Sequence, residues 1–581
     1  MPEEGLLPQL KRVVVGEPIP SHQAHRERFS RVTGLAVLSS DALSSVAYAT
    51  EEILRVLALA GVAAISFATP IGFAIAFILA IVAFSYRQTI HAYPSGGGAY
   101  VVAKDNLGTL PSLVAAASLL VDYTLTVAVS VAAGVAALTS AFPSWHINRV
   151  EMGLAFVAVI AVGNLRGVRE SGRIFAVPTY FFVVSILMLV GAGAWRAFTG
   201  AITPVLPPVD DVVSGSQPLT LFLLLTAFSN GCTAMTGVEA VSNGVPAFRP
   251  PESKNAASTL VTMAALAITM FLGITLLAHA YRIVPLEHET IVSQLGRAVF
   301  GGRGVAYYLV QAATMLILVL AANTAYADFP RLASIVARDR FMPRQFMNQG
   351  DRLAFSNGIL ALSIFAGLLI VIFEGDTHAL IPLYMIGVFI SFTLSQFGMV
   401  RRWLRERGPG WRTSAAINAI GAVVTGAVLA IVAVTKTHEG AWIVLLLIPA
   451  QVQLFRVTRR HYDSVAAQLT LKDWDHAPPR RNIVLVPISG VHRAVVQAVN
   501  YARTLSPDVR ALYVNIEPIA TDQVRRDWEE WGGGARLEVL DSPFRSLLEP
   551  LRDYIERVEA ENPDAYITIV IPEFVPARWW H

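Results

Sequence analysis

Ionisable residues set inside apolar runs are the groups of this chain with chemistry to do. Asp41 lies in "VTGLAVLSSDALSSVAYATEEILRVLALAG", residues 32–61, crowded by Ser39, Ser40, Ser44, Ser45 and Tyr48. Asp122, Thr126 and Ser130 are spaced by four in "LLVDYTLTVAVSV", so they share one helical face, with Tyr123 beside it. Thr236 and Glu239 sit three residues apart in "TAFSNGCTAMTGVEAVSNGV", where Gly231 and Gly237 frame an expected break. Burying an unpaired carboxylate is costly, so each acid needs a cation, a proton or a hydrogen-bond donor. The chemistry on offer is cation coordination and proton exchange.

Plainer roles compete at each position. Asp41 could cap the second half of a broken helix by accepting backbone N–H bonds, a role compatible with facing a cavity. A lone serine or threonine would bond back to its own helix, but Asp122 cannot, which favours a cavity-facing stripe. Glycines permit close helix packing, yet that leaves Glu239 unexplained. Tyr384 in "IPLYMIGVF" is equally an interfacial belt residue or a ligand. For Asp328 in "ANTAYADFPRL" a local pair with Arg331 is preferred to an ion site.

The elements that hold these groups follow from composition. The 581-residue chain is 54% hydrophobic and 15% charged, with a mean hydropathy of +0.53. Soluble chains carry roughly 25% charged residues, so a soluble enzyme is excluded and a polytopic membrane protein is implied. Apolar runs of spanning length lie near 33–60, 65–88, 109–142, 150–165, 173–198, 219–245, 257–281, 305–330, 355–373, 379–400, 414–435 and 439–456. They predict an all-α membrane region of about twelve helices over 31–456, after a cytoplasmic segment 1–30. Spans one and six are both expected to be broken and both bear an acid, the pattern of an inverted-repeat transporter with its site near the midplane.

Loop charge sets the expected orientation. "RGVRESGR" follows span four; Arg331, Arg338, Arg340, Arg344 and Arg352 follow span eight; Arg401, Arg402, Arg405, Arg407 and Arg412 follow span ten. Acidic "PPVDDVV" and "EGDTH" follow spans five and nine. Both termini are then cytoplasmic. Arg282, Arg297 and Arg303 after span seven fit less cleanly.

Residues 457–480 read as a linker. Beyond it, "NIVLVPISG", "VRALYVNI" and "AYITIVIP" are buried-strand patterns with helical stretches between them, predicting a cytosolic α/β domain with a parallel sheet over 481–581. "WGGGAR" at 531–536 is a weak candidate for a phosphate loop. The chain stops at "FVPARWWH", soon after a strand, so a truncated tail is expected. The single cysteine, Cys232, excludes an internal disulfide, and the first 30 residues lack the apolar core of a signal peptide. Dispersed basic residues give nucleic-acid binding no support.

"YPSGGGAYVVAKDNLG" and "NLRGVRESGR" resemble loops of the amino acid–polyamine–organocation superfamily. More closely, "LSSDALSSVAYATEEIL", "SNGCTAMTGVEAVSNGVPAF" and "NTAYADFPRLASIVARDRFMPRQF" resemble the KimA-type proton-coupled potassium importers, relatives of the Kup transporters. The tail resembles universal-stress-type domains. The resemblance implies a LeuT-type 5+5 inverted repeat and transport without catalysis or cofactor. It implies high-affinity potassium uptake by proton symport across the prokaryotic plasma membrane, in a homodimer held by the cytosolic domains and inhibited by cyclic di-AMP. By the same resemblance, Asp41, Tyr48, Asp122, Thr126, Ser130, Thr236 and Glu239 hold potassium, with Tyr123 and Tyr384 in the pathway.

The alternative is an amino acid or polyamine permease. Amino acid carriers break span one at a glycine-containing stretch whose N–H groups bind the substrate carboxylate. Here the stretch is "SSDALSS", where Asp41 would repel a carboxylate and attract a cation.

Overall fold

Serine hydroxyls bend the first span. It runs as α1 (Arg31–Leu38), α2 (Ser40–Ser44) and α3 (Val46–Ala58), interrupted at Ser39 and Ser45. The Ser44 and Ser45 hydroxyls donate to the Asp41 carbonyl at 2.9 and 3.0 Å, local bonds that divert the chain from straight helix. The span is therefore kinked twice around one helical turn; it is not a long unwound segment. In this computed structural model the described residues are 28–96, 98–166, 172–202, 215, 217–350, 354–470, 481–516, 518–542 and 546–573. The segment 1–27, "PPVDDVV", most of "RGVRESGR", Arg352, residues 471–480 of the expected linker and "FVPARWWH" lie outside them.

The described residues form two compact units that divide at Ala467. In the first, α4 (Ala68–Ala92), α5 (Ala99–Asn106), α6 (Thr109–Ala141), α7 (Arg149–Leu165) and α8 (Gly172–Phe198) follow span one. Span six is α9 (Leu221–Gly231), a 3-10 turn over Cys232–Met235, extended Thr236 and left-handed Gly237, then α10 (Val238–Asn243). Next come α11 (Glu252–Ala280), α12 (Ile291–Phe300), α13 (Val305–Arg338), α14 (Ser356–Ile372), α15 (Thr377–Glu406), α16 (Trp411–Lys436) and α17 (Trp442–Gln468).

Every expected apolar run coincides with a helix or an interrupted helix. Among the described residues nine helices are long and apolar enough to cross a membrane. The three other runs are the interrupted span one and the 17-residue helices α7 and α14. α13, α15 and α17 continue past their expected ends, so Arg331, Arg338, Arg401 and Arg402 lie on helices where loops were expected. Polar helix ends carry no apolar signal, which is why periodicity stopped short of them. Arg297 after span seven pairs with Glu289 at 2.8 Å, so its charge is offset locally. α6 is the most enclosed span, with 89% of its apolar window buried, and it packs against α13 and α15. A helix shielded from lipid on all sides can carry a polar stripe.

The second unit is a four-stranded parallel sheet of order β3-β2-β1-β4. Its strands are β1 (Arg481–Ile488), β2 (Asp508–Asn515), β3 (Arg536–Asp541) and β4 (Ala565–Ile569). Helices α18 (Arg493–Leu505), α19 (Pro518–Trp531) and α20 (Leu548–Glu561) connect them. Val484, Val486 and Ile488 face the Val495–Val499–Trp528 side while Ile483 and Leu485 face Tyr554 and Val558. Both faces are covered, so the strands read as continuous apolar runs. The glycines of "WGGGAR" form the turn from α19 into β3, with Gly533 and Gly534 at φ 59° and 82°, and the Gly533 carbonyl accepts from Arg503. Their positive φ is a turn requirement, which accounts for them without a phosphate.

Candidate functional site

The two interrupted spans touch at their breaks. Gly237 approaches so closely that a Cβ there would lie 2.6 Å from the Ala42 nitrogen and 2.8 Å from Asp41 Oδ2. Ser45 Oγ and Thr236 Oγ1 lie 2.6 Å apart, and Tyr48 OH donates to Ser45 Oγ at 3.1 Å. Ser40 Oγ reaches Thr324 Oγ1 of α13 at 2.9 Å. These bonds tie α2, α3, the span-six break and α13 into one polar centre.

Asp41, Asp122 and Glu239 are 6%, 6% and 4% exposed, and each acts electrostatically on at least one of the others. Glu239 Oε1 accepts from Tyr123 OH at 3.1 Å, and Tyr123 OH accepts from Asn243 Nδ2 at 3.0 Å. Asp41 Oδ1, Asp122 Oδ1 and Glu239 Oε2 have no hydrogen-bond partner among the described residues. Nor does a lysine or arginine pair with any of the three there. Among the same residues no backbone N–H donates to the Asp41 carboxylate, so capping does not account for it. Its neighbouring hydroxyls bind its carbonyl and leave its side chain free to face the centre.

Thr126 and Ser130 continue the buried stripe of α6 from Asp122. No hydrogen bond among the described residues links Ser130 to the other site residues. Tyr384 of α15 is 1% exposed, faces Thr126 and lies among Asp41, Asp122 and Tyr48, so it is an interior group and not an interfacial belt residue. Gly387, one turn on, lets α15 approach α6: a Cβ there would lie 2.9 Å from the Ser118 carbonyl.

Asp328 has a wider setting than a local pair with Arg331. It is buried on α13 within electrostatic reach of Asp41 and Glu239. It also lines, with Arg331, Tyr123 and Asn243, a void of about 60 Å³. A second acidic group escaped sequence reasoning. Glu51 and Glu52 of α3 are 5% and 2% exposed, and His378 bridges them: Nδ1 contacts Glu52 Oε1 and Nε2 lies 3.6 Å from Glu51 Oε1. Asn230 Nδ2 donates to Glu52 at 2.9 Å, and Ile291 N at the start of α12 donates to Glu51 at 3.0 Å. The signal was present, since "ATEEIL" puts two acids inside an apolar run. His378 lines two voids of about 130 and 30 Å³, the smaller reaching Tyr48.

The polar centre thus lies between a void that reaches Tyr48 and another that reaches Tyr123. Comparison with known proteins gives this geometry a context. Residues 29–453 match the family described as amino acid permease, and residues 480–581 match the KimA potassium transporter C-terminal domain. The potassium transporter KimA of Bacillus subtilis (strain 168) is 45% identical over 576 residues, spanning 98% of this chain and 94% of that protein. The low-affinity putrescine importer PlaP of Escherichia coli (strain K12) is 25% identical over 354 residues, 58% of this chain and 74% of that protein.

Proposed function

This chain belongs to the amino acid permease family and, within it, to the group of the potassium transporter KimA, and from that premise we propose that it takes up potassium by proton-coupled symport across the prokaryotic plasma membrane. The observation that carries this reading is the convergence of three buried carboxylates with unpartnered oxygens and no basic partner among the described residues. In a low-dielectric interior each charge needs a bound cation or a proton. Potassium and the proton then neutralise the same oxygens, and that competition couples their movements. Tyr48, Thr126, Ser130, Thr236 and Tyr384 supply neutral oxygens that, with backbone carbonyls, replace the hydration shell of the ion.

Asp41 contributes to the ion site in this reading, and Glu239, tied to Tyr123, exchanges protons towards the void lined by Asp328. The arginines at the ends of α13 and α15 support a cytoplasmic position for both termini in this reading. The test is rubidium uptake by proteoliposomes with and without an inward proton gradient. Uptake is expected to rise with the gradient and to be lost in Asp122→Asn and in Glu239→Gln; full uptake in both variants overturns the site.

The tail is the regulatory and dimerising arm of this reading, supported by its match to the KimA C-terminal domain. Cyclic di-AMP is its expected ligand, and titration of the purified protein without saturable binding removes it. A polyamine is the second reading, favoured by the putrescine importer's similarity. The voids reaching Tyr48 and Tyr123, about 30 and 60 Å³, favour a bare ion over an extended diamine. Labelled putrescine competing with rubidium would reverse that preference.

A further inference from the structure

A groove of about 490 Å³ opens on the first unit, lined by α6, the turn after α13, α14, α15 and α17. Leu120 and Leu125 of α6, Leu383 of α15 and Phe455 of α17 are its buried lining, with Phe341 and Phe346 from the turn after α13. It is open outward, where the lining residues Phe365, Leu368 and Leu454 are 52%, 53% and 61% exposed. Its few hydroxyls are already engaged: Thr124 donates to the Leu120 carbonyl at 2.8 Å and Thr458 to the Leu454 carbonyl at 3.0 Å. An occupant therefore meets an apolar body in which Gln451 is the one polar lining residue besides these two threonines.

One end of the groove is charged. Arg344 stands between the lining residues Pro343 and Phe346, and its guanidinium lies 5.2 Å from the Tyr462 ring centre, with no carboxylate partner among the described residues. Arg459, one turn beyond Phe455, lies 5.5 Å from the Phe341 ring centre and pairs with Asp463 at 2.9 Å. Arg340 reaches the same Asp463 at 4.0 Å. Asp339 is held by Lys104 at 2.7 Å. Arg340 and Arg459 thus share Asp463 while Arg344 has no carboxylate partner among the described residues, and the rim is cationic. We propose that the groove holds one acyl chain of an anionic phospholipid whose phosphate is bound at Arg344. Apolar length with a cationic end fits that amphiphile, and a planar, delocalised guanidinium suits a phosphate.

The position gives the lipid a task. Val121 and Leu125 immediately precede Asp122 and Thr126 on α6, and Leu383 precedes Tyr384 on α15. A chain in the groove backs both helices that present the polar centre.

The test uses the full-length protein in bicelles with phosphatidylglycerol carrying a diazirine in mid-chain, and with phosphatidylcholine of the same chain. Crosslinks are expected on peptides covering 341–346 and 443–458, several-fold stronger for phosphatidylglycerol. Arg344→Gln is expected to lower phosphatidylglycerol labelling about tenfold, the scale of one charge-assisted contact, and so to remove its preference over phosphatidylcholine. Leu447→Trp, which fills the groove, should remove both. Equal labelling by the two lipids in the unmodified protein overturns the anionic lipid and needs no variant to fold. Absence of label from both peptides overturns the lipid.

Discussion

Gly237 is the residue on which the two breaks meet. Its φ of 75° disfavours any side chain by about 1 kcal/mol, and an added Cβ would press on the Ala42 nitrogen and the Asp41 carboxylate. Gly108 provides the contrast, with φ 101° and nothing within 4 Å of an added Cβ. Gly237→Ala is expected to lower rubidium uptake more than tenfold, while Gly108→Ala loses about 1 kcal/mol of stability with uptake intact. Equal effects of the two on uptake would show that backbone strain alone matters at Gly237. The acids of this centre were legible because a carboxylate in an apolar run is too costly to bury without a cation, a proton or a donor beside it. Asp328 was harder, since Arg331 lies three residues away in sequence. Its exposure to Asp41 and Glu239 depends on how α13 packs against α2, which spacing within one helix does not reveal.

At the scale of elements, His378 joins parts that sequence keeps far apart. It brings the start of α15 to Glu51 and Glu52 of α3, while Asn230 and the first turn of α12 hold the same two acids from α9 and the following loop. Arg55 of α3, which pairs with Glu287 at 3.9 Å, is the nearby cation of that helix. Replacing His378 with Ala leaves Glu52 buried with one partner removed. Breaking a buried pair costs about 3–5 kcal/mol, and the lower end applies because the His378 side chain keeps 31% exposure. His378→Ala is expected to lower the melting temperature clearly, with His378→Gln recovering part of the loss through its remaining donor. A melting temperature unchanged in the Ala variant would mean that the cluster holds nothing together. The breaks themselves were legible from serines around Asp41 and glycines around Thr236. The short helices α5 and α12 were not, because neither has the apolar length of a span.

Across the whole molecule, the two edges of the tail sheet differ. β3 carries Arg536, Glu538 and Asp541, with Arg536 Nε 2.5 Å from Glu538 Oε1, and such charges blunt an edge against pairing. β4 and the residues after it read "AYITIVI" without a charge, and Tyr566, Ile569 and Ile571 are 59%, 42% and 71% exposed. β4 pairs only with β1 among the described strands, so its outer side offers backbone donors and acceptors to another strand. If the tail dimerises as proposed above, β4 is the edge that should carry it and β3 the edge that should not. Ile569→Lys with Ile571→Lys is expected to turn a dimer into a monomer in mass photometry, while Arg536→Ala on the exposed start of β3 leaves the dimer intact. Rubidium uptake in the double variant separates assembly from transport: the polar centre lies wholly within the first unit, so transport by the monomer is expected to persist. A dimer that survives the β4 lysines would move the interface off this edge.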